Sequence, residues 1–422
     1  MTSAQGWGIA RRLGFRFGFL VAALEVFPFP LGMIPMTDWI STQLSKPLIW
    51  ANHWLGQAVF SLPPPYLGPN GSGDTSYDYV LQLITVVLAA LGTILWSVVD
   101  RRRTSYPRLV AGLRVVLRYW VAWAMLSYGV SKVMKSQFYD ISPTWLHQRI
   151  GDTSPMRTLW SFMGYSLPYT VFAGLLEMIG GILLLWRRTA TLGAMLVAVV
   201  MANVVVLNFC YDVPVKLDAT RLLAAAVVIA LPGARRVIAA ALGYATPEVP
   251  PRVRLSRRRE LARLVAKIVI FASLGYIVYK QLARPSRNDH GHELYGIWTV
   301  DTFVADGVEL PPLTTDPVRW AAWTASARNA AIWHMNGDRE ARDTEYWGYP
   351  IEVDAAHHAI TVTIDDEHHV KETWTYTLPA HDHVAIDGVH AGKTLHVTLH
   401  LEPESRLLSR GFHWINEAPF NP

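Results

Sequence analysis

The sequence predicts a helical membrane bundle followed by an antiparallel β domain. Three observations carry that prediction. Long runs of Leu, Ala, Val, Trp and Phe fill the chain up to about residue 285. Short arginine clusters separate those runs. Beyond residue 285 the composition turns polar, and apolar residues alternate with His, Asp, Glu and Thr.

The helices come first. A helix needs roughly 20 apolar residues to cross the hydrocarbon core of a bilayer. Residues 79–99 (YVLQLITVVLAALGTILWSVV) meet this cleanly, as do 168–186 and 190–209. Residues 109–133 qualify despite Arg114, Arg118 and Lys132, the two arginines being expected to snorkel toward the inner surface. Residues 219–242 qualify with Arg235 and Arg236 at the exit, and 261–282 around an uncharged centre from Ile268 to Tyr279. Residues 13–36 are the weakest candidate, carrying Glu25 and three prolines behind Arg11, Arg12 and Arg16. No small-x-small cleavage site follows, so this stretch reads as a retained helix rather than a signal peptide.

Seven spans make the charges fall into place. Arg11–Arg12–Arg16, Arg101–Arg102–Arg103–Arg108, Arg187–Arg188 and the series from Arg235 through Arg259 all follow an even number of crossings. The positive-inside rule then puts the N-terminus in the cytoplasm and everything after residue 283 outside it. The net charge of +5 is thus a matter of topology, and no nucleic-acid partner is expected. The expected organisation is 1–108, two N-terminal transmembrane helices with a long outer loop; 109–243, a four-helix core; 244–283, a basic cytoplasmic loop and seventh helix; 284–422, an extracytoplasmic β domain. Trp39, Trp50 and Trp54 suit an interfacial belt in the first outer loop. Residues 63–74 (PPPYLGPNGSGD) read as a connector. Ser142–Pro143 and Ser154–Pro155 read as starts of two short helices on the outer surface of the bundle, closed by Gly151 and Gly164.

Polar residues inside such a bundle are the functional candidates. Glu177 lies in the middle of YTVFAGLLEMIGGILLLW, where an ionised carboxylate costs about 2.5–3.5 kcal/mol on insertion scales. It is expected to face the bundle interior with a partner, or to be protonated. Gly174, Gly180 and Gly181 on the same run would let helices approach closely. The outer turn VLNFCYDVPVKLDATRLL (206–223) carries Asp212, Lys216, Asp218 and Arg221 around Pro214, which stops a continuous helix. Lys132 and Lys135 end the third span on the same side, and Asn203 and Asn208 approach from the fifth. The candidate ligand-binding set is therefore Lys132, Glu177, Asn203, Asn208, Asp212, Lys216, Asp218 and Arg221. The competing readings of the outer four are ordinary interface charges that pin helix depth, taken first, and a structural salt bridge across the bundle. The lone Cys210 excludes an intramolecular disulfide, a CxxC redox pair and a cysteine-rich metal site, and reads as inert.

These residues carry a resemblance. YWVAWAMLSYGVSKVMKSQF (119–138), with Gly129 and Lys132, looks like a helix of DoxX-like proteins. FAGLLEMIGGILLLWRRTATLGA (172–194) is similar to that family's next helix pair, with Glu177, Gly180, Gly181 and Arg188 at the matching positions. The resemblance covers about residues 114–232. It implies a four-helix membrane bundle and, for some members, a subunit of a membrane oxidoreductase that feeds quinone, such as thiosulfate:quinone oxidoreductase. This chain adds two helices before that core, one after it, and the polar tail.

The tail reads as β structure. AITVTID (359–365) sets Ile360, Val362 and Ile364 on one face, and TLHVTLHLE (394–402) does the same with Leu395, Val397, Leu399 and Leu401. Period-two alternation means half-buried antiparallel strands. Asp306–Gly307, Asn336–Gly337 and Asp387–Gly388 are turn signals. Seven or eight strands in a small barrel or sandwich fit best. The opening Gly296–Ile297–Trp298 resembles the first strand of lipocalin-like barrels. The aromatic end SRGFHWINEAPFN is expected to fold over a barrel mouth or rest on the membrane domain.

Thirteen of the fifteen histidines lie in this tail. His357–His358 and His368–His369 are adjacent pairs that point to opposite strand faces and so do not share a metal. His381 and His383 share a face, and His396 and His400 sit opposite the leucines, without a ligand motif. No metal site is assigned. No Ser-His-Asp order, phosphate loop or paired carboxylate stands out, so no catalytic residue is named and enzyme status stays open. Two functions are expected to compete. One is a bacterial inner-membrane DoxX-like protein, a quinone- or lipid-binding component of an envelope redox complex, with the bilayer and a redox protein as partners and quinone as the candidate cofactor. The other is a non-enzymatic, membrane-anchored periplasmic β domain that binds a lipid or protein. A transporter ranks last, since neither an inverted repeat nor a broken helix pair is visible.

Overall fold

The computed structural model describes residues 7–34, 36–63, 71–245, 256–283, 291–340, 348–365 and 370–419. Its helices are α1 (Ile9–Val26), α2 (Asp38–Phe60), α3 (Ser76–Val99), α4 (Pro107–Val133), the short α5 (Pro143–His147) and α6 (Pro155–Tyr165), α7 (Leu167–Leu184), α8 (Ala190–Cys210), α9 (Lys216–Ala241) and α10 (Arg257–Leu282). Seven stretches are long and apolar enough to cross a membrane: Ile9–Met33, which contains α1, and then α3, α4, α7, α8, α9 and α10. The expected spans are all present, with ends displaced by a few residues. Each leaves most of its apolar face turned outward, with no more than 44% of the hydrophobic window buried within the chain. Helices that expose so many Leu, Ile and Val side chains have lipid as their solvent, and a helix satisfies its own backbone there. The chain is a multi-pass membrane protein. The more polar α2 is not among the spans, and it exposes Trp39, Trp50 and Trp54.

The chain forms two compact units, Met1–Gln137 with Leu167–Arg284, and Phe138–Ser166 with Pro285–Pro422. In the first, α4 is the central helix. Its Leu117, Val121, Ala122, Met125 and Leu126 pack with Leu184, Val197, Met201, Leu222, Ala226 and Ile229. Small residues set the spacing. A Cβ at Gly181 would lie 3.0 Å from the Ala122 carbonyl oxygen, and one at Gly193 would lie 3.0 Å from that of Gly180. Gly-mediated approach of α7 to both α4 and α8 is how membrane helices gain contact where hydrophobicity gives no preference for protein over lipid.

The second unit is a closed antiparallel barrel. Its strands are β1 (Gly296–Ala305), β2 (Val308–Glu309), β3 (Trp320–Ala325), β4 (Asn329–His334), β5 (Arg339–Glu340), β6 (Tyr349–Asp354), β7 (Ala359–Asp365), β8 (Val370–Ala380), β9 (His383–His390) and β10 (Lys393–Leu401). The order runs β10–β9–β8–β7–β6–β4–β3–β1, and β10 also pairs with β1 from Trp298↔Leu401 to Ala305↔Leu395, which closes the ring. The short β2 and β5 are appended to β1 and β4. The predicted faces hold. Leu395, Val397 and Leu399 are buried in the core, whereas His396 and His400 are surface residues bonded to Asp387 and Asp301. Trp298, Trp320, Trp323 and Trp374 fill the interior, none more than 2% exposed.

Several expectations need correction. Asp387–Gly388 is no turn: both residues lie within β9. Gly388 is there because the Trp374 ring covers it, and a Cβ would come within 2.4 Å of Cδ1. The β9–β10 connection is instead Ala391–Gly392, with φ of +49° and +77° as a type I′ turn demands. Asp306–Gly307, with φ of +50° and +79°, is the turn the sequence predicts. The helices α5 and α6 do start at Pro143 and Pro155, and the Ser154 hydroxyl accepts the Arg157 N–H. Gly151 and Gly164 do not close them. Gly151 sits in a separate 3-10 turn, and Gly164 lies inside α6, close under the Tyr139 carbonyl. Both helices belong to the barrel unit rather than to the helical one. The Thr144 hydroxyl bonds that of Thr324 in β3 at 3.0 Å, and His147 stands edge-on to Trp333 in β4. The two pieces of this unit follow the third and the seventh spans. An odd number of crossings in both cases puts them on one side of a bilayer, which a shared core requires. The pair His368–His369, residues 284–290 and most of the 63–74 connector lie outside the described residues.

Candidate functional site

Lys132 lies in the last turn of α4 and Glu177 in the middle of α7. They are 8% and 3% exposed, and the ammonium donates to both carboxylate oxygens at 2.9 Å. The glycines explain how they meet. A Cβ at Gly129 would lie 2.6 Å from the Gly174 carbonyl oxygen, so only glycine allows these backbones to cross. At Gly174 a Cβ would also lie 2.9 Å from the Lys132 Cβ, in the path that the lysine stem takes. The expected partner of Glu177 is therefore Lys132, and the pair is bidentate. Its ammonium also stands 5.7 Å from the Tyr128 ring centroid.

The α8–α9 turn resolves into two clusters. In one, Asp74 accepts the backbone N–H groups of Lys216 and Leu217 at 2.6 and 2.9 Å and so caps α9 from a distant segment. The Lys216 ammonium bonds Asp212 at 2.9 Å and lies 3.7 Å from Asp74. In the other, Arg221 donates to Asp218 and to Gln82 at 2.8 Å, and Gln82 donates to Glu25 at 2.7 Å. Arg221 Nε lies 2.7 Å from Glu25, as an ion pair rather than an aligned hydrogen bond. The sequence thus names Asp212, Lys216, Asp218 and Arg221 but misses Asp74, which completes the first cluster, and Glu25 of α1 and Gln82 of α3, which complete the second. Glu25 had a signal of its own, being an acid inside an apolar run. Asp74 had none, hidden in a Gly- and Ser-rich connector. Asn208 is buried and holds the turn, donating to the Val215 carbonyl. Asn203 is exposed on α8 and joins neither cluster, and Cys210 is exposed.

A third polar centre lies in the barrel, and sequence reading did not find it. His390, 6% exposed, presents Nδ1 to Glu372 at 2.7 Å and Nε2 to Glu340 at 2.9 Å. Glu340 also accepts from His334 and from the Tyr349 hydroxyl, both at 2.9 Å. A carboxylate at each ring nitrogen favours the imidazolium form of His390, which can donate to both. Burial alone lowers its pKa, but Glu340 and Glu372 outweigh burial and the net shift is upward. For Glu340, burial pushes up, and the hydrogen bonds from His334, His390 and Tyr349 overcome it, holding the carboxyl far below its ordinary range. Burial and the adjacent Glu340 push the Tyr349 hydroxyl up. Among the described residues no group of three or more His, Cys, Asp or Glu is arranged to hold a metal ion. Surface histidines lie against single carboxylates, as His357 does with Asp354 and His358 with Glu293.

Comparison with known proteins adds one relative. The uncharacterized protein YwoB of Bacillus subtilis (strain 168) is 34% identical over 99 residues, 24% of this chain. The chain spans 62% of that relative's length. No family model and no solved structure matches.

Proposed function

We propose that this chain is a DoxX-like inner-membrane component of an envelope redox complex, binding a quinone or a similar amphiphile beside the Lys132–Glu177 pair. The observation that carries the reading is a buried, bidentate ion pair inside membrane-spanning helices. Ionisable residues at such depth are costly and are kept for a task. Supporting it, the motif residues Gly129, Lys132 and Glu177 behind the resemblance converge on one helix crossing. An ammonium and a neighbouring phenol suit the carbonyl oxygens of a quinone head group, which would supply the electron-carrying chemistry. Lys132 would donate to such a carbonyl, and Glu177 would hold Lys132 charged and aimed.

In this reading the arginine clusters face the cytoplasm and the barrel lies in the periplasm of a bacterium. The test is mass spectrometry of small molecules extracted from gently purified full-length protein, wild type beside Glu177→Gln and Lys132→Gln. A quinone in the wild type that is lost from folded variants is the expected result. Equal quinone in all three, or none in the wild type, refutes the reading.

A second reading makes the barrel a non-enzymatic binding module. Its tryptophan-filled interior argues against a carried lipid, so the partner would be a protein. Favouring it are Phe412, Trp414 and Ile415 behind the short helix α11 (Arg406–Ser409), which are 78%, 91% and 76% exposed. Deleting residues 410–422 should abolish partner capture by cross-linking while leaving any quinone in place.

A further inference from the structure

At the end of the helical unit away from the α8–α9 turn, five cations gather without matching acids among the described residues. Arg114 and Arg118 stand one turn apart on α4, and Arg263 and Lys267 one turn apart on α10, a helix that packs against α4. Like charges at this spacing repel and destabilise a helix. Arg187, in the α7–α8 turn, also lies within electrostatic reach of Arg118 and Arg263, and Arg118 of Arg263 and Lys267. The nearby acid is Glu260, which acts on Arg263. All three chain regions follow an even number of spans, so they share one membrane face.

Arg118 makes the cluster unusual. It is 6% exposed, yet its Nε and Nη2 have no hydrogen-bond partner among the described residues. This overturns the expectation that it snorkels to the surface. The Tyr119 ring lies 5.0 Å from its guanidinium carbon, and the Tyr119 hydroxyl is itself without an aligned partner. Arg114 donates to the Ile229 carbonyl at 2.9 Å, but its Nε is also unpaired. Lys267 rests 4.5 Å from the centroid of the exposed Trp186 ring. The contrast is Arg16, equally buried, whose donors reach Tyr106, Ser97 and the Asp100 carbonyl. A buried guanidinium is normally satisfied in that way, and one that has Tyr119 as its near polar neighbour but keeps two unpaired nitrogens among further cations calls for an anion.

We infer that Arg118, with Arg114, Arg187, Arg263 and Lys267, binds a phosphate group. Guanidinium forks match phosphate oxygens, the Tyr119 hydroxyl adds a donor, and Trp186 sits where acyl chains begin. Two sources share this chemistry: the head group of an anionic phospholipid, drawn from the surrounding leaflet, and a soluble phosphate.

The test is thermal unfolding of the full-length protein in nanodiscs of phosphatidylcholine, with and without phosphatidylglycerol, and in phosphatidylcholine with added inorganic phosphate. Wild type is compared with the half-buried double variant Arg263→Gln/Lys267→Gln and with Arg118→Gln. A higher Tm with phosphatidylglycerol alone identifies a lipid site, and a higher Tm with phosphate identifies a soluble anion. In either case each cation removed should weaken the midpoint of the anion effect about tenfold, the worth of one charge-assisted hydrogen bond. The double variant should also change sign, being more stable than wild type without anion and less stable with it. Arg118→Gln, if it fails to fold, leaves the double variant to decide. No Tm shift with either anion, or an undiminished shift in the double variant, overturns the inference.

Discussion

Replacing Glu177 with leucine should destabilise the helical unit more than replacing Glu177 and Lys132 together. The single change leaves an ammonium that is 8% exposed beside an alkyl chain, without the two oxygens it now meets at 2.9 Å. Breaking a buried ion pair in this way costs about 3–5 kcal/mol. In Lys132→Met/Glu177→Leu both charges go, and with them the desolvation they suffer. Similar volume remains at the Gly129–Gly174 crossing, so the double variant should fall within about 1 kcal/mol of wild type or exceed it. The double variant should thus be about 2–4 kcal/mol more stable than Glu177→Leu alone. Reversible unfolding in mixed micelles, titrated with a denaturing detergent, reads the four corners of the cycle. Additive effects, or a double variant as unstable as the worse single one, would refute the idea that these charges stabilise the fold mainly by cancelling each other. The double variant also separates roles. If it folds like wild type and loses bound quinone, the pair serves binding rather than packing.

Other expectations concern packing, caps and pH. Gly174→Ala drives a methyl into the Lys132 stem and the Gly129 carbonyl, and should cost about 1–3 kcal/mol, read by the same unfolding assay. Gly388→Ala meets the Trp374 ring and should lower barrel stability by a similar amount, with a shift in near-ultraviolet circular dichroism. Asp74→Ala removes the cap of α9 and should cost about 1 kcal/mol, with faster amide exchange at Lys216 and Leu217. In the barrel, His390 titrates higher when folded, so its contribution is complete below its unfolded pKa near 6.5 and is lost as pH rises through the folded value. Glu340 titrates lower when folded, so its contribution is complete above about 4.5 and is lost as pH falls through the folded value. Barrel stability should therefore be greatest between these limits, and His390→Gln should flatten the alkaline side of the profile, measured by calorimetry.

Much of the fold was legible because it follows from short-range patterns. Hydropathy over twenty residues finds the spans, and alternation over six finds β7 and β10. The charges behave otherwise. Lys132 and Glu177 were named one by one, but their pairing depends on two glycines 45 residues apart in sequence coming into contact. Arg221 and Glu25 are further apart still. His390 was invisible for the same reason, since Glu372 reaches it from the neighbouring β8 and Glu340 from β5, which pairs with β4 and not with β9. Asp387–Gly388 misled because its dipeptide chemistry suits a turn, whereas the glycine answers a demand for space from Trp374 across the sheet. The Arg118 cluster was visible as residues but misread, because the sequence could not show that α10 brings more cations rather than acids.

The divided barrel unit sets an order in time. Residues 138–166 emerge early in synthesis, but the strand that closes the ring ends at Leu401. At ~5–20 residues per second the early segment waits on the order of ten seconds or more for its partners. During that interval four more helices must insert, each in the right direction, before the barrel strands can reach the compartment where the segment waits. A ribosome that stalls, or a helix that inserts backwards, leaves α5 and α6 stranded with the apolar surface that Thr144 and His147 help to bury. Closure of the barrel thus depends on correct insertion of every span between its two pieces.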